Sequence, residues 1–521
     1  MVWQGRRPHD EGHELDRRLF DLAHDGTPAE LEAMLEIGAD PDRPGHRGWT
    51  PLMIAAANNP DPASVRALLS RGARVDARME DRARSAIHAA AIHNPNPAIL
   101  RELIAAGADV DVRDAAGATP LLQASGHNPN PECVHQLLLL GADPNARSDL
   151  GHTPLHVAID RRRGLVVVRT LLDAGAAVDA LDPSGSTSLV NAARANHDAW
   201  VVAALLEAGA DPDAVDALGS SALIVAAAAG RFDGPADHSC TARLIDGGAN
   251  VHVRDRRGRT ALMHAATADA AIAYLLVRRG ADVHARDDVG ATALHHACSG
   301  SLGSQVVHCL IAAGAEIDAR DQRGRSPLMV AAASCRDATP LDALLAAGAD
   351  VAARDAGGAT ALLVAADRNP VGAVSAALLR AGSDVDARDR AGRTALSRAA
   401  AVAVTPDVVD VLLRAGACPN ARDEDGFTPL HRAIAQQAHP GVVPRLLGAG
   451  AAVDARGPDA VTPLMLAVDV ARGPHVLQAL LAAGAETDAV DVLGASAEAR
   501  AVRRGADHAI VSALRGASVR S

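Results

Sequence analysis

The sequence predicts an all-α solenoid of about fifteen helix-turn-helix units with β-turn or hairpin tips, and three observations predict it. First, a Thr or Ser that in most units precedes a Pro/Ala-Leu pair recurs at Thr50, Ser85, Thr119, Thr153, Thr187, Ser221, Thr260, Thr292, Ser326, Thr360, Thr394, Thr428, Thr462 and Ser496. The steps between them are 35, then 34 four times, then 39, 32 and 34 from there on. Second, a glycine ladder runs in register with it, from Gly38 and Gly72 through Gly175 and Gly314 to Gly484. Third, 48% of the 521 residues are hydrophobic but only 1% are aromatic, so the apolar content is mostly Ala, Leu and Val. A fixed period of this length marks units that bury their apolar faces only against one another, and small side chains let helices approach closely.

Composition also excludes function classes. Lysine is absent, so all 51 basic residues are arginine, and against 63 acidic residues the net charge is -12. General nucleic-acid binding needs a basic footprint. The six cysteines are scattered, with no C-x-x-C, and do not read as a disulfide framework. The first residues contain no apolar stretch of the Sec signal type, and no apolar run is long enough to cross a membrane. The expectation is a soluble, cytoplasmic, monomeric protein, with export by a non-Sec route left open.

Each unit decodes in order. In Gly151–Ala158 (GHTPLHVA), Thr153 is placed to cap a helix and Pro154 to occupy its first position, where no N–H is needed. Leu155 and Ala158 then share one buried face. A second helix carries Val167, Val168, Leu171 and Leu172, and Gly175 ends it where a left-handed residue costs least. Residues 176–182 are an extended link. In three units the interhelical turn is written out as Asn59–Pro62, Asn94–Pro97 and Asn128–Pro131, with Asp61, Asn96 and Asn130 as N-caps. The expected organisation is a flexible tail (1–14), capping helices (15–47), regular units (48–493), a degenerate cap (494–517) and a short tail (518–521).

These motifs, G-x-T-P-L-H-x-A followed by L-L-x-x-G-A-D, resemble the ankyrin repeat, most closely at Gly151–Ala158 and at Gly426–Ala433 (GFTPLHRA), over nearly the whole chain. Departures are mild, chiefly Ala for Pro at 86, 222, 261, 293, 361 and 395. The resemblance implies a β-turn plus two helices per unit. It implies that His88, His156, His295 and His431 are structural, and that partners are gripped by turn tips and the first-helix face.

Catalytic motifs are absent: there is no G-x-S-x-G, H-E-x-x-H or P-loop. No cofactor is expected. The strongest alternative is an enzyme or metal site around 295–309, where His295, His296, Cys298, His308 and Cys309 cluster, although the spacing fits no zinc signature. A ladder of Asp (114, 182, 216, 255, 287, 321, 355, 389, 423, 491) and one of Arg (113, 147, 254, 286, 320, 354, 388, 422, 456) repeat with the turn, so what repeats explains them.

Function is expected where the repeat varies. Three alternate tips are basic: Arg256, Arg257 and Arg259; Gln322, Arg323 and Arg325; Arg390 and Arg393. Such a stripe suits forked recognition of carboxylates on a protein partner with an acidic surface; as an arginine stripe it also leaves nucleic acid as a second alternative. Trp49 and Phe427, between turn Gly and Thr, are aromatic tip residues of the kind found at interface hot spots. The long step after Ser221 comes from an insertion at 231–238, expected to make a weak joint, with Thr241 and Ala242 standing where other units have an apolar pair.

Overall fold

The computed structural model describes residues 14–195, 199–230, 239–300, 304–402, 406–470, 474–505 and 508–518. The N-terminal tail to residue 13 and the 231–238 insertion lie outside the described residues. The chain divides into two compact bodies, Met1–Arg256 and Arg257–Ser521. Among the described residues the first holds seven helix pairs, from Glu14–Asp25 with Pro28–Glu36 to Ala222–Ala229 with Ser239–Asp246. The second holds eight, from Ala261–Ala268 with Ala270–Arg278 to Ala497–Arg503 with His508–Ser518. Within a body, first helices pack on first helices and second on second, as Pro51–Asn58 does on Ala86–His93 and Pro62–Ser70 on Pro97–Ala105. The described residues contain no strand, and the tips are turns with isolated β-bridges, as between Val215 and Ser221 and between Val490 and Ser496.

Local chemistry sets each helix. Thr153 Oγ1 accepts the His156 N–H at 3.4 Å, Pro154 fills the first position, and Leu155 and Ala158 are fully buried. The second helix, Gly164–Asp173, buries Val167, Val168 and Leu171, while Leu172 stays half-buried. Gly175 follows at φ +86°, a conformation open to glycine at little cost. The turn glycine has a second reason in places: a Cβ on Gly117, at φ +69°, would lie 2.7 Å from the Asp149 backbone N. In the first pair, Thr27 and Glu30 form a reciprocal capping box and Leu19 and Ala23 form the core, with Phe20 half-buried beside Gly45.

Neighbouring units are tied through main-chain carbonyls. Arg320 Nη1 donates to Gly324 O of its own turn (2.8 Å) and to Arg354 O of the next unit (2.9 Å). Arg354, Arg388 and Arg422 repeat the pattern onto Arg388 O, Arg422 O and Arg456 O, each at 2.5 Å. A parallel series joins the extended links, as Asp318 Oδ1 accepts from Asp350 N at 3.1 Å. The third series is buried: Asn94 Nδ2 donates to Ala56 O (3.0 Å) and Asn59 O (2.8 Å), and Asn128 Nδ2 to Ala91 O and Asn94 O (both 2.9 Å). Asp61, Asn96 and Asn130 cap as expected, although the third helix begins at Glu132, one residue past Pro131.

The irregular region differs from expectation in one respect. The residues that take the places of Val167 and Val168 in Ser239–Asp246 are Cys240 and Thr241, both buried, while Ala242 is only half-buried. One polar residue therefore enters the apolar pair, not two small ones. The short step that follows is absorbed by Asp269, which ends Ala261–Ala268 and caps Ala270–Arg278, accepting from Ala271 N at 2.8 Å.

Asn94→Ala strands two buried carbonyls, so unfolding free energy should fall by about 1–3 kcal/mol. Urea unfolding checks this; an unchanged midpoint would show that the asparagine ladder contributes nothing.

Candidate protein-binding surface on the turn tips

Each tip is organised by its aspartate. Asp389 Oδ1 accepts from Ala391 N (2.8 Å) and Arg393 N (2.9 Å), which closes the turn. Its other oxygen takes Arg393 Nε (3.0 Å) from the turn and Arg398 Nη2 (2.6 Å) from the following helix. Burial opposes ionisation there, but the bonds from Arg398 and Arg393 outweigh it and hold the Asp389 carboxyl below its ordinary range. Asp321 is held in the same way by Arg325 (2.8 Å). Nine residues after the aspartate, other units supply Gln123, Asn191, His296, Arg432 and Arg500 to the same carboxylate oxygen.

The residues expected to bind a partner are placed unequally. Trp49 is half-buried and, with exposed Arg256, belongs to the first body. In the second body Arg257 is exposed and Arg259 half-buried. Gln322 is exposed and donates to Asp288 O at 2.7 Å. Arg325 and Arg393 are committed to their turn aspartates. The guanidinium groups of exposed Arg323 and Arg390 have no hydrogen-bond or ion-pair partner among the described residues. Phe427 is half-buried, with the Arg432 guanidinium 4.6 Å above its ring and the His431 ring at its edge; it is part of the internal packing of its unit.

Arg323, Arg325 and Arg393 meet in one groove of about 400 Å³, which Arg368 and Arg398 also line. Sequence reasoning missed those two because they lie on helices, off the tip. It also missed that tips in the first body expose Leu150 (71%) and Leu218 (69%), a signal visible as apolar residues before the turn glycines.

The histidines of the 295–309 cluster have separate roles. His295 is buried, with Nδ1 at 3.0 Å from Thr292 Oγ1 and Nε2 at 3.0 Å from Arg325 O of the next unit. His88, His156 and His431 are buried in the same box, reaching Ala118 O, Ala180 O and Val461 O. His296 pairs with Asp287 at 2.9 Å, and His308 contacts its own helix at Ser304 O. Burial pushes the Cys298 and Cys309 thiols up, away from the thiolate form a metal needs. Among the described residues no group of three or more His, Cys, Asp or Glu is arranged to hold a metal ion, and no helix is long and apolar enough to cross a membrane.

Burial depresses the pKa of His88, His156, His295 and His431, so the fold holds them neutral. The unfolded chain takes up their protons below about pH 6.5, and each then removes up to about 1.4 kcal/mol per pH unit. The carboxylates held below their ordinary range lose their contribution only at lower pH. Stability should therefore be level near neutrality and fall as pH drops from about 6.5 to about 5. Urea midpoints across that range check this, with His156→Gln flattening the slope; stability that is level or rises on acidification would contradict it.

Two comparisons with known proteins bear on this geometry. No curated protein matches the chain. The family model for ankyrin repeats (three copies) matches residues 19–114, 87–182, 121–216, 189–287, 223–321, 294–389 and 373–456, overlapping segments that together run from 19 to 456. With its paired helices, glycine-closed turns and T-P-L-H boxes, the chain belongs to the ankyrin repeat family.

Proposed function

We propose that the protein is a non-enzymatic scaffold that binds another protein through the turn tips of its second body, with exposed arginines engaging carboxylates of the partner. Ankyrin repeats are generally protein–protein interaction modules, and stacked units present extended surfaces suited to that use. The observation that carries the finer reading is the contrast among arginines. Those of the ladder and those beside the turn aspartates are spent on the fold, whereas Arg323 and Arg390 extend from the tips with no partner among the described residues. In a chain of net charge -12, uncommitted guanidinium groups on the exposed edge favour an acidic partner surface, because a planar fork binds a carboxylate through two hydrogen bonds.

The triple variant Arg257→Glu, Arg323→Glu, Arg390→Glu tests this. Circular dichroism should be unchanged, and affinity capture followed by mass spectrometry should lose the partner that the unaltered protein retains. Equal capture by a variant with an intact fold would remove the tips from the interface.

A further inference from the structure

The groove lies at a tip that lacks the arginine both neighbouring tips carry four residues after the turn aspartate. The tip at Asp321 carries Arg325 four residues on, and the tip at Asp389 carries Arg393 four on and Arg398 nine on. At Asp355 between them, the corresponding residues are Ala359 and Val364, and the tip itself is Ala356 and Gly357. Two arginine walls therefore face each other across a gap emptied of large side chains. Met329 and Val364 contribute to the lining of that gap, which five arginines and two aspartates share. Asp355 Oδ1 accepts from Gly357 N and Ala359 N, both at 2.8 Å, as Asp389 Oδ1 does from Ala391 N and Arg393 N. Its second oxygen has no side-chain partner among the described residues, whereas those of Asp321 and Asp389 are held by arginine.

We propose that this groove takes an extended segment of the partner protein in which acidic residues alternate with small apolar ones. The inference rests on the protein-binding reading above and names the kind of partner. An extended chain points successive side chains to opposite sides. Acidic residues can then meet the exposed guanidinium groups of Arg323 and Arg368 at the rim, while the residues between them cover Met329 and Val364. The unfilled acceptor on Asp355 suits an N–H of the segment. A volume of about 400 Å³ holds a few side chains rather than a domain. A nucleic acid fits less well: its charge recurs at every phosphate, and Asp355 and Asp367 stand among the arginines.

The test is selection from a random peptide library displayed on phage, using the full-length protein. Enriched peptides should alternate Asp or Glu with small apolar residues. Val364→Arg writes into the middle unit the residue that Arg398 and Arg432 supply at the equivalent place, so it closes the groove with a side chain the fold already accommodates. Although it adds positive charge, binding of a selected peptide should weaken at least about tenfold. Arg368→Glu, at an exposed helix end, should weaken it comparably and serves if the first variant misfolds. Enrichment without acidic residues would overturn the inference. So would unchanged binding by the variants, tighter binding by Val364→Arg, or displacement of the peptide by a single-stranded oligonucleotide at lower concentration than by free peptide. If the tip reversals abolish partner capture while Val364→Arg leaves it intact, the protein-binding reading stands and the groove assignment falls.

Discussion

A pair of short helices cannot complete its own hydrogen bonding. Each unit leaves main-chain polar groups at its turn, its extended link and its interhelical corner, and one apolar face on each helix. A neighbouring unit, before or after it, supplies their partners. Arg320 reaches Arg354 O, Asn94 reaches Ala56 O and Asn59 O, His295 reaches Arg325 O, and Asp318 receives Asp350 N. A buried polar group left unmatched costs more than a made bond returns, so the series enforce one spacing. That requirement explains why the period stays at 34 through most of the chain.

The same requirement decides where chemistry is available. The turn aspartates, the box histidines and the ladder arginines are abundant, and each is occupied in closing or joining turns. The cluster at 295–309 dissolves on this view into a box histidine, a hydrogen bond with Asp287, a helix contact, one buried thiol and one half-buried thiol. What is left over are positions where a unit departs from its neighbours. Ala359 is one such position: the tips on either side carry Arg325 and Arg393 at its place, and Asp355 keeps one oxygen with no side-chain partner among the described residues. The proposed binding surface is made by omission rather than by adding a motif, and no search for added motifs finds it.

Much of the fold was legible in the sequence because its signals are local. A Thr or Ser before Pro or Ala sets the start of a helix, and glycine at φ near +86° sets its end, as at Gly175. The site was legible only in part. Arg323 and Arg390 stood out as charged tips, but Arg325 and Arg393 read as equally available, since nothing local shows that a turn aspartate four residues earlier has captured them. Phe427 read as a tip aromatic, whereas Arg432, five residues on, covers it. Arg368 and Arg398 were invisible as site residues because they lie on helices, off the tips, and only the fold brings them into the groove. The role of Asn59, Asn94 and Asn128 was half legible: the turn was evident, and the bonds to the preceding unit were not.

The claim that unit-to-unit bonding sets the register is tested most directly by removing one unit. Excising Thr360–Arg393 joins Ala359 to Thr394 and brings Arg398 to the place of Val364 and Arg422 O to the place of Arg388 O. The shortened chain should fold cooperatively, with its helical circular dichroism reduced in proportion and its urea midpoint little changed. An out-of-register excision ending at Arg390 should lose both. Equal tolerance of the two excisions, or collapse of the in-register one, would contradict the account.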